Sequence, residues 1–92
     1  MIKSFKCRKT QRLFNDLDVK KFRSISKAAR IKLELLHAAV SLNSLRIPPG
    51  NRLEQLAGDR KGEYSIRIND QWRICFTWKE ENAFDVEIVD YH

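Results

Sequence analysis

The sequence predicts an α+β fold of order β-α-α-β-β-β, with helices packed on one face of a mainly antiparallel twisted sheet. Three observations predict it. Apolar residues recur at helical spacing between residues 9 and 45. From residue 63 onward they alternate with polar residues, the period of half-buried strands. Between the two regimes stands Pro48-Pro49-Gly50, through which no helix continues. Helices on one side of such a sheet form a two-layer domain.

The opening MIKSF sets Ile2 and Ser4 against Lys3 and Phe5 and reads as a short first strand. From Lys9 to Leu17, the spacing of Leu13, Phe14 and Leu17 predicts a short amphipathic helix. The next segment, DVKKFRS, reads as a basic connector. A longer helix is expected from Ser26 to about Leu45. Ser26 would cap it and Ile25 would act as a staple. Ala29, Leu33, Leu36 and Val40 mark its apolar stripe. Three strands follow, EYSIRIN, QWRICFTW and AFDVEIVDYH, separated by Asn69-Asp70 and by Lys79 to Asn82. Tyr64, Ile66, Ile68, Trp72, Ile74, Phe76, Trp78, Phe84, Val86 and Ile88 form the expected core phase.

No repeat or linker divides the 92 residues, so residues 1–92 read as a single domain. The net charge of +6 favours a polyanionic partner. It is unevenly spread. Residues 1–62 hold 15 Lys and Arg against 5 Asp and Glu, a net of +10, while residues 63–92 hold 3 against 7, a net of −4. No apolar run is long enough to span a membrane. The amino terminus has no apolar core like a secretory signal, so a cytoplasmic protein is expected. Cys7 and Cys75 have no CxxC or CxxH neighbours and read as packing residues, with neither disulfide nor zinc expected. Without a dense carboxylate or Cys/His ligand set, no metal and no cofactor are expected.

Arg67 and Arg73 lie at polar-phase positions of adjacent strands joined by a tight turn. A hairpin would bring both guanidinium groups onto one face, where their planar forks suit phosphate. The alternative is a pair of solvated arginines matched with Glu87 or Asp85 across strands. The terminal Asp90-Tyr91-His92 combines groups able to accept, donate or orient protons, as RNA cleavage requires. Such an end can equally be exposed and frayed. The segment PPGNRLEQLAGDRKG carries Arg52, Arg60 and Lys61 among turn residues, as a phosphate-contacting loop or as a solvated connection. His37, inside the long helix, reads as a packing or surface residue. No phosphate loop, HExxH or GxSxG pattern is present.

MIKSF, the block RIPPGNRLEQLAGDRKGEYSIRINDQWRICFTW and the terminal VEIVDYH together resemble the HigB-type toxins of the RelE superfamily, bacterial toxin–antitoxin ribonucleases. The resemblance covers nearly the whole length. It implies a compact RelE-like fold, cleavage of mRNA in the ribosomal A site and neutralisation by a HigA-type helix-turn-helix antitoxin. Operator DNA would be reached only through the antitoxin complex. Arg73 matches the family's arginine at the scissile phosphate, and Asp90, Tyr91 and His92 match its carboxy-terminal catalytic cluster. Arg60 and Arg67 match RNA-contacting positions. One departure is Ala57, where many relatives carry lysine. Arg52, Arg60 or Lys61 would compensate, or cleavage would be weaker. Two other readings stay open: a non-catalytic basic nucleic-acid-binding module, and an inactive relative serving as antitoxin partner and corepressor.

Overall fold

Apolar spacing of three and four residues puts Ala29, Leu33 and Leu36 on one side of a helix, and all three are fully buried. This helix, α2, spans Ser26–Ala38 in a computed structural model that describes residues 1–90. Before it, α1 spans Arg8–Phe14, burying Thr10 and Leu13. Arg30 of α2 ties the two together, donating to the carbonyls of Leu13 in the last turn of α1 and Leu17 beyond it, at 3.2 and 3.1 Å.

Both helices stop earlier than their apolar periodicity suggests. After α1, Asp16 turns left-handed at φ 69°, a conformation that aspartate tolerates. After α2, Ala39 is extended and Val40 is 73% exposed, so Val40 leaves the expected stripe. The cause is local competition: the Ser41 hydroxyl accepts from the Ser44 amide at 3.2 Å, and the Ser44 hydroxyl donates to the Ser41 carbonyl at 2.6 Å. A 3-10 turn, Asn43–Arg46, then buries Leu45. Ser26 is the first helical residue rather than the cap, and its hydroxyl donates to the Arg23 carbonyl. The expected basic connector contains a 3-10 helix, Lys20–Ile25, whose Phe22 and Ile25 are buried.

The sheet is an antiparallel meander of β1 (Glu54–Gln55), β2 (Tyr64–Arg67), β3 (Trp72–Lys79) and β4 (Asn82–Asp90). The short β1 lies within the segment expected to be a loop. Beyond β4, the amino-terminal segment runs parallel to it through bridges at Ile2–Ala83 and Phe5–Val86, which is what becomes of the expected first strand. Asn69 shapes the β2–β3 turn, its side-chain carbonyl accepting from the Gln71 and Trp72 amides at 2.9 and 2.8 Å. Glu80 and Glu81, both left-handed, close the β3–β4 hairpin.

Register assigns the two faces. Ile66 opposes Ile74, which opposes Ile88, and these apolar side chains meet the helices. Ser65 opposes Cys75, which opposes Glu87, on the far face. A bulge in β4 corrects the expected alternation. Asp85 is left-handed at φ 52°, and its amide goes to the Ser4 hydroxyl at 2.9 Å. Ahead of this bulge Ala83 takes the core position, while Phe84 pairs with Thr77 on the far face. Among the described residues, no helix is long and apolar enough to cross a membrane.

Candidate phosphate-binding cleft

The tight β2–β3 turn places Arg67 directly opposite Arg73 in the ladder. Their side chains share the far face and line an open cleft of about 340 Å³, together with Arg52, Glu54, Asn69 and Asp70. Three guanidinium groups therefore surround a space that holds two carboxylates. The alternation accounts for Arg67 and Arg73. The stretch 48–55, which runs through the 3-10 turn Pro49–Asn51 into the edge strand β1 beside β2, brings Arg52 and Glu54.

Arg73 is 6% exposed, which is unusual for a charged side chain and requires partners. Its Nε donates to the Ser65 hydroxyl at 2.8 Å. Its Nη2 donates to the carbonyls of Arg52 at 2.6 Å and Ser65 at 3.3 Å, and lies 3.9 Å from Glu54. These contacts fix the plane of the guanidinium at the cleft wall. Arg67 pairs with Asp70 in the turn. The expected cross-strand partners Glu87 and Asp85 serve neither arginine. Glu87 instead faces Arg60 at 3.0 Å and Lys6 at 3.8 Å, because the bulge and the 58–62 loop bring those cations to it.

Arg52 sits at the end of a 3-10 turn, Pro49–Asn51, in the left-handed region at φ 45°. That turn is anchored by Asn51, fully buried, whose amide donates to the carbonyls of Leu45 and Ile47 and whose oxygen accepts from Lys32. Asn51, Glu54 and Asp70 escaped the sequence reading. Their only signal was proximity to Arg52 and Arg67. Arg60 and Lys61 are not among the residues lining the cleft. Arg60 bridges Glu63 at 3.1 Å and Glu87 at 3.0 Å, and the Glu87 hydrogen bond raises its already high pKa, against burial. Lys61 is exposed, as is Ala57 ahead of it.

Asp90 is in register with Trp72, one residue before Arg73, so it belongs to the opposite, helix-bearing face. Its carboxylate accepts from Gln71 Nε2 at 3.1 Å. Tyr91 and His92 lie outside the described residues. Among the described residues no three His, Cys, Asp or Glu side chains converge as a metal site would require.

The two thiols occupy contrasting environments. Burial pushes Cys75 up to about 11, against the opposing influence of Arg60. Burial also raises the half-buried Cys7, but hydrogen bonds from the Thr10 backbone, the Thr10 side chain and the Lys9 backbone outweigh it and hold the thiol below its ordinary value. Since the thiolate is the nucleophile, a maleimide should label Cys7 and spare Cys75 in the folded chain at neutral pH. Equal labelling by mass spectrometry would contradict this. His37 is a packing residue, its Nδ1 accepting from the Ile2 amide at 3.1 Å and its ring tilted against Phe14. Trp72 is buried against Phe22 and Trp78 is partly buried, both on the core phase.

A family model described as the RelE-like toxin of type II toxin–antitoxin system HigB matches residues 3–92. The chain is 54% identical over 62 residues to Toxin HigB-1 of Vibrio cholerae, a match covering 67% of this chain and 65% of that protein. It is 39% identical over 41 residues to Endoribonuclease HigB of Proteus vulgaris, covering 45% of each. The aligned stretches thus span less than two thirds of these relatives. A chain in a crystal structure of the heterotetrameric YoeB–YefM toxin–antitoxin complex from Staphylococcus aureus shares the fold, with a TM-score of 0.56 at 22% identity over 100% of this chain and 98% of that one. With its sequence matched almost throughout and its fold matched from end to end, the chain belongs to the HigB-like family of RelE-like toxins.

Proposed function

We propose that the chain is a single-domain toxin of a type II toxin–antitoxin pair. It acts in the cytoplasm as an endoribonuclease that cuts mRNA in the ribosomal A site and so stops translation. The observation that carries this reading is the placement of Arg67 directly opposite Arg73 in the ladder, both lining one polar cleft. A phosphodiester entering the cleft meets guanidinium groups that are already oriented, the arrangement that best stabilises developing charge on phosphate. Arg73 serves the scissile phosphate, and Arg52 and Arg67 hold the strand. Arg60 and Lys61 approach RNA from the loop beside it.

Proton transfer belongs to the carboxy-terminal cluster. Activating a 2′-hydroxyl needs a base, and releasing the 5′-oxygen needs an acid. In this reading Asp90, whose carboxylate accepts from Gln71, handles protons together with Tyr91 and His92. No metal or other cofactor has a role in it. The basic segment 1–62 docks on ribosomal RNA through phosphates, so affinity falls as salt rises. The partner is a HigA-type helix-turn-helix antitoxin, and operator DNA is contacted only through the complex.

The test is primer extension on a translated message, comparing the native chain with one lacking Tyr91 and His92. Cuts within codons are expected for the native chain and should be lost in the shortened one. Cuts that persist would remove the terminal cluster from the mechanism. Inhibition of translation without any cut would favour the binding-module reading.

A further inference from the structure

A second basic groove lies outside the cleft, between α1 and the 3-10 helix Lys20–Ile25, with a volume of about 210 Å³. Lys9 and Arg12, one turn apart on α1, face Lys20 and Lys21 across it, and all four are exposed. Among the described residues none of the four takes part in an ion pair. The acidic residue of the groove, Asp18, is occupied by Arg23, whose Nη2 lies at 2.6 Å. The floor is the buried Val19, and no exposed aromatic anchor lines the groove, as the centre of a protein-binding surface usually requires. Charge without an apolar anchor suits a phosphate backbone.

Position ties this groove to the cleft. α1 packs on the end of β4, where the Thr10 hydroxyl accepts from the Ile88 amide at 3.0 Å. Phe22, next to Lys21, meets Trp72 edge-on at 5.6 Å. Trp72 pairs with Asp90, and the next residue, Arg73, lines the cleft on the opposite face. Groove and cleft therefore reach the same end of the sheet from its two sides, in a molecule of only 30 × 26 × 26 Å.

From this we infer that the α1 groove binds the backbone of the same RNA strand whose phosphate occupies the cleft, holding the message on both sides of the sheet end. The inference rests on the ribonuclease reading. It is tested by fluorescence anisotropy with 2′-O-methyl RNA, which has no free 2′-hydroxyl to attack, as a trinucleotide and as a strand several times longer. The native chain should bind the longer strand more tightly and with a steeper salt dependence. Lys9→Gln with Arg12→Gln, or Lys20→Gln with Lys21→Gln, should each reduce the log–log salt slope by about 1.4, at about 0.7 per lost contact. Both pairs should leave trinucleotide binding unchanged. Lys79→Gln, at the opposite end of the sheet, should alter neither.

A length advantage that is absent, or that survives both double variants, overturns the inference. So does a loss confined to binding of polyglutamate or of ribosomes, which would assign the groove to an acidic protein or to the ribosomal scaffold. Failure of the underlying reading shows separately, as no cleavage of translated message by the native chain.

Discussion

Replacing Arg73 with alanine is expected to lower the rate of message cleavage by roughly 100- to 1000-fold, the usual loss when one preorganised donor to a developing oxyanion is removed. The side chain is also held inside the protein. Its Nε binds the Ser65 hydroxyl and its Nη2 the Arg52 carbonyl. The alanine variant therefore leaves polar partners behind, and its folding must be measured beside its activity. Arg73→Lys separates the two effects. Lysine keeps the positive charge but cannot reproduce a planar fork that touches Ser65 and Arg52 together. It should restore only part of the activity. Native cleavage rates in a folded Arg73→Ala chain would remove this residue from the chemistry. Native rates in Arg73→Lys would reduce its role to charge alone.

The pairing of Arg67 with Arg73 was legible because strand alternation has a period of two and the Asn69-Asp70 turn is short. Both properties fix which residues face each other. The same parity separates Asp90 from Arg73, since Asp90 shares the face of Trp72. What alternation cannot show is depth. Arg73 and Cys75 sit in the polar phase but are buried, Arg73 against Ser65 and the Arg52 carbonyl, Cys75 beside Arg60, Glu63 and Glu87. Nor does it reveal an inserted residue. Phe84, Val86 and Ile88 alternate perfectly in sequence, yet the left-handed Asp85 moves Phe84 to the other face. Helix length was misjudged for a similar reason. Leu42 and Leu45 continue an apolar rhythm, while Ser41 and Ser44 close the backbone into tighter turns.

Phe22→Ala should cost about 3–5 kcal/mol, the range for truncating a fully buried phenylalanine. The residue is 1% exposed and lies in a segment whose lysines make it look like a connector. Phe22 and Ile25 are three residues apart, the repeat of a 3-10 helix, so their side chains eclipse and point into the core together. Such a run is too short to establish any periodicity. The energetic consequence is large because a domain of this size typically has about 5–15 kcal/mol in total. Its melting temperature should fall by about 12–40 °C, given about 4–8 °C per kcal/mol for a small domain. Phe22 also meets Trp72 edge-on, and Trp72 immediately precedes Arg73. The cavity therefore opens directly behind the cleft strand, and activity should decline at temperatures where the variant is still mostly folded. Urea unfolding followed by tryptophan fluorescence measures the stability loss. A loss below about 0.5 kcal/mol, the scale of an ordinary surface change, would place the Lys20–Ile25 segment outside the cooperative core.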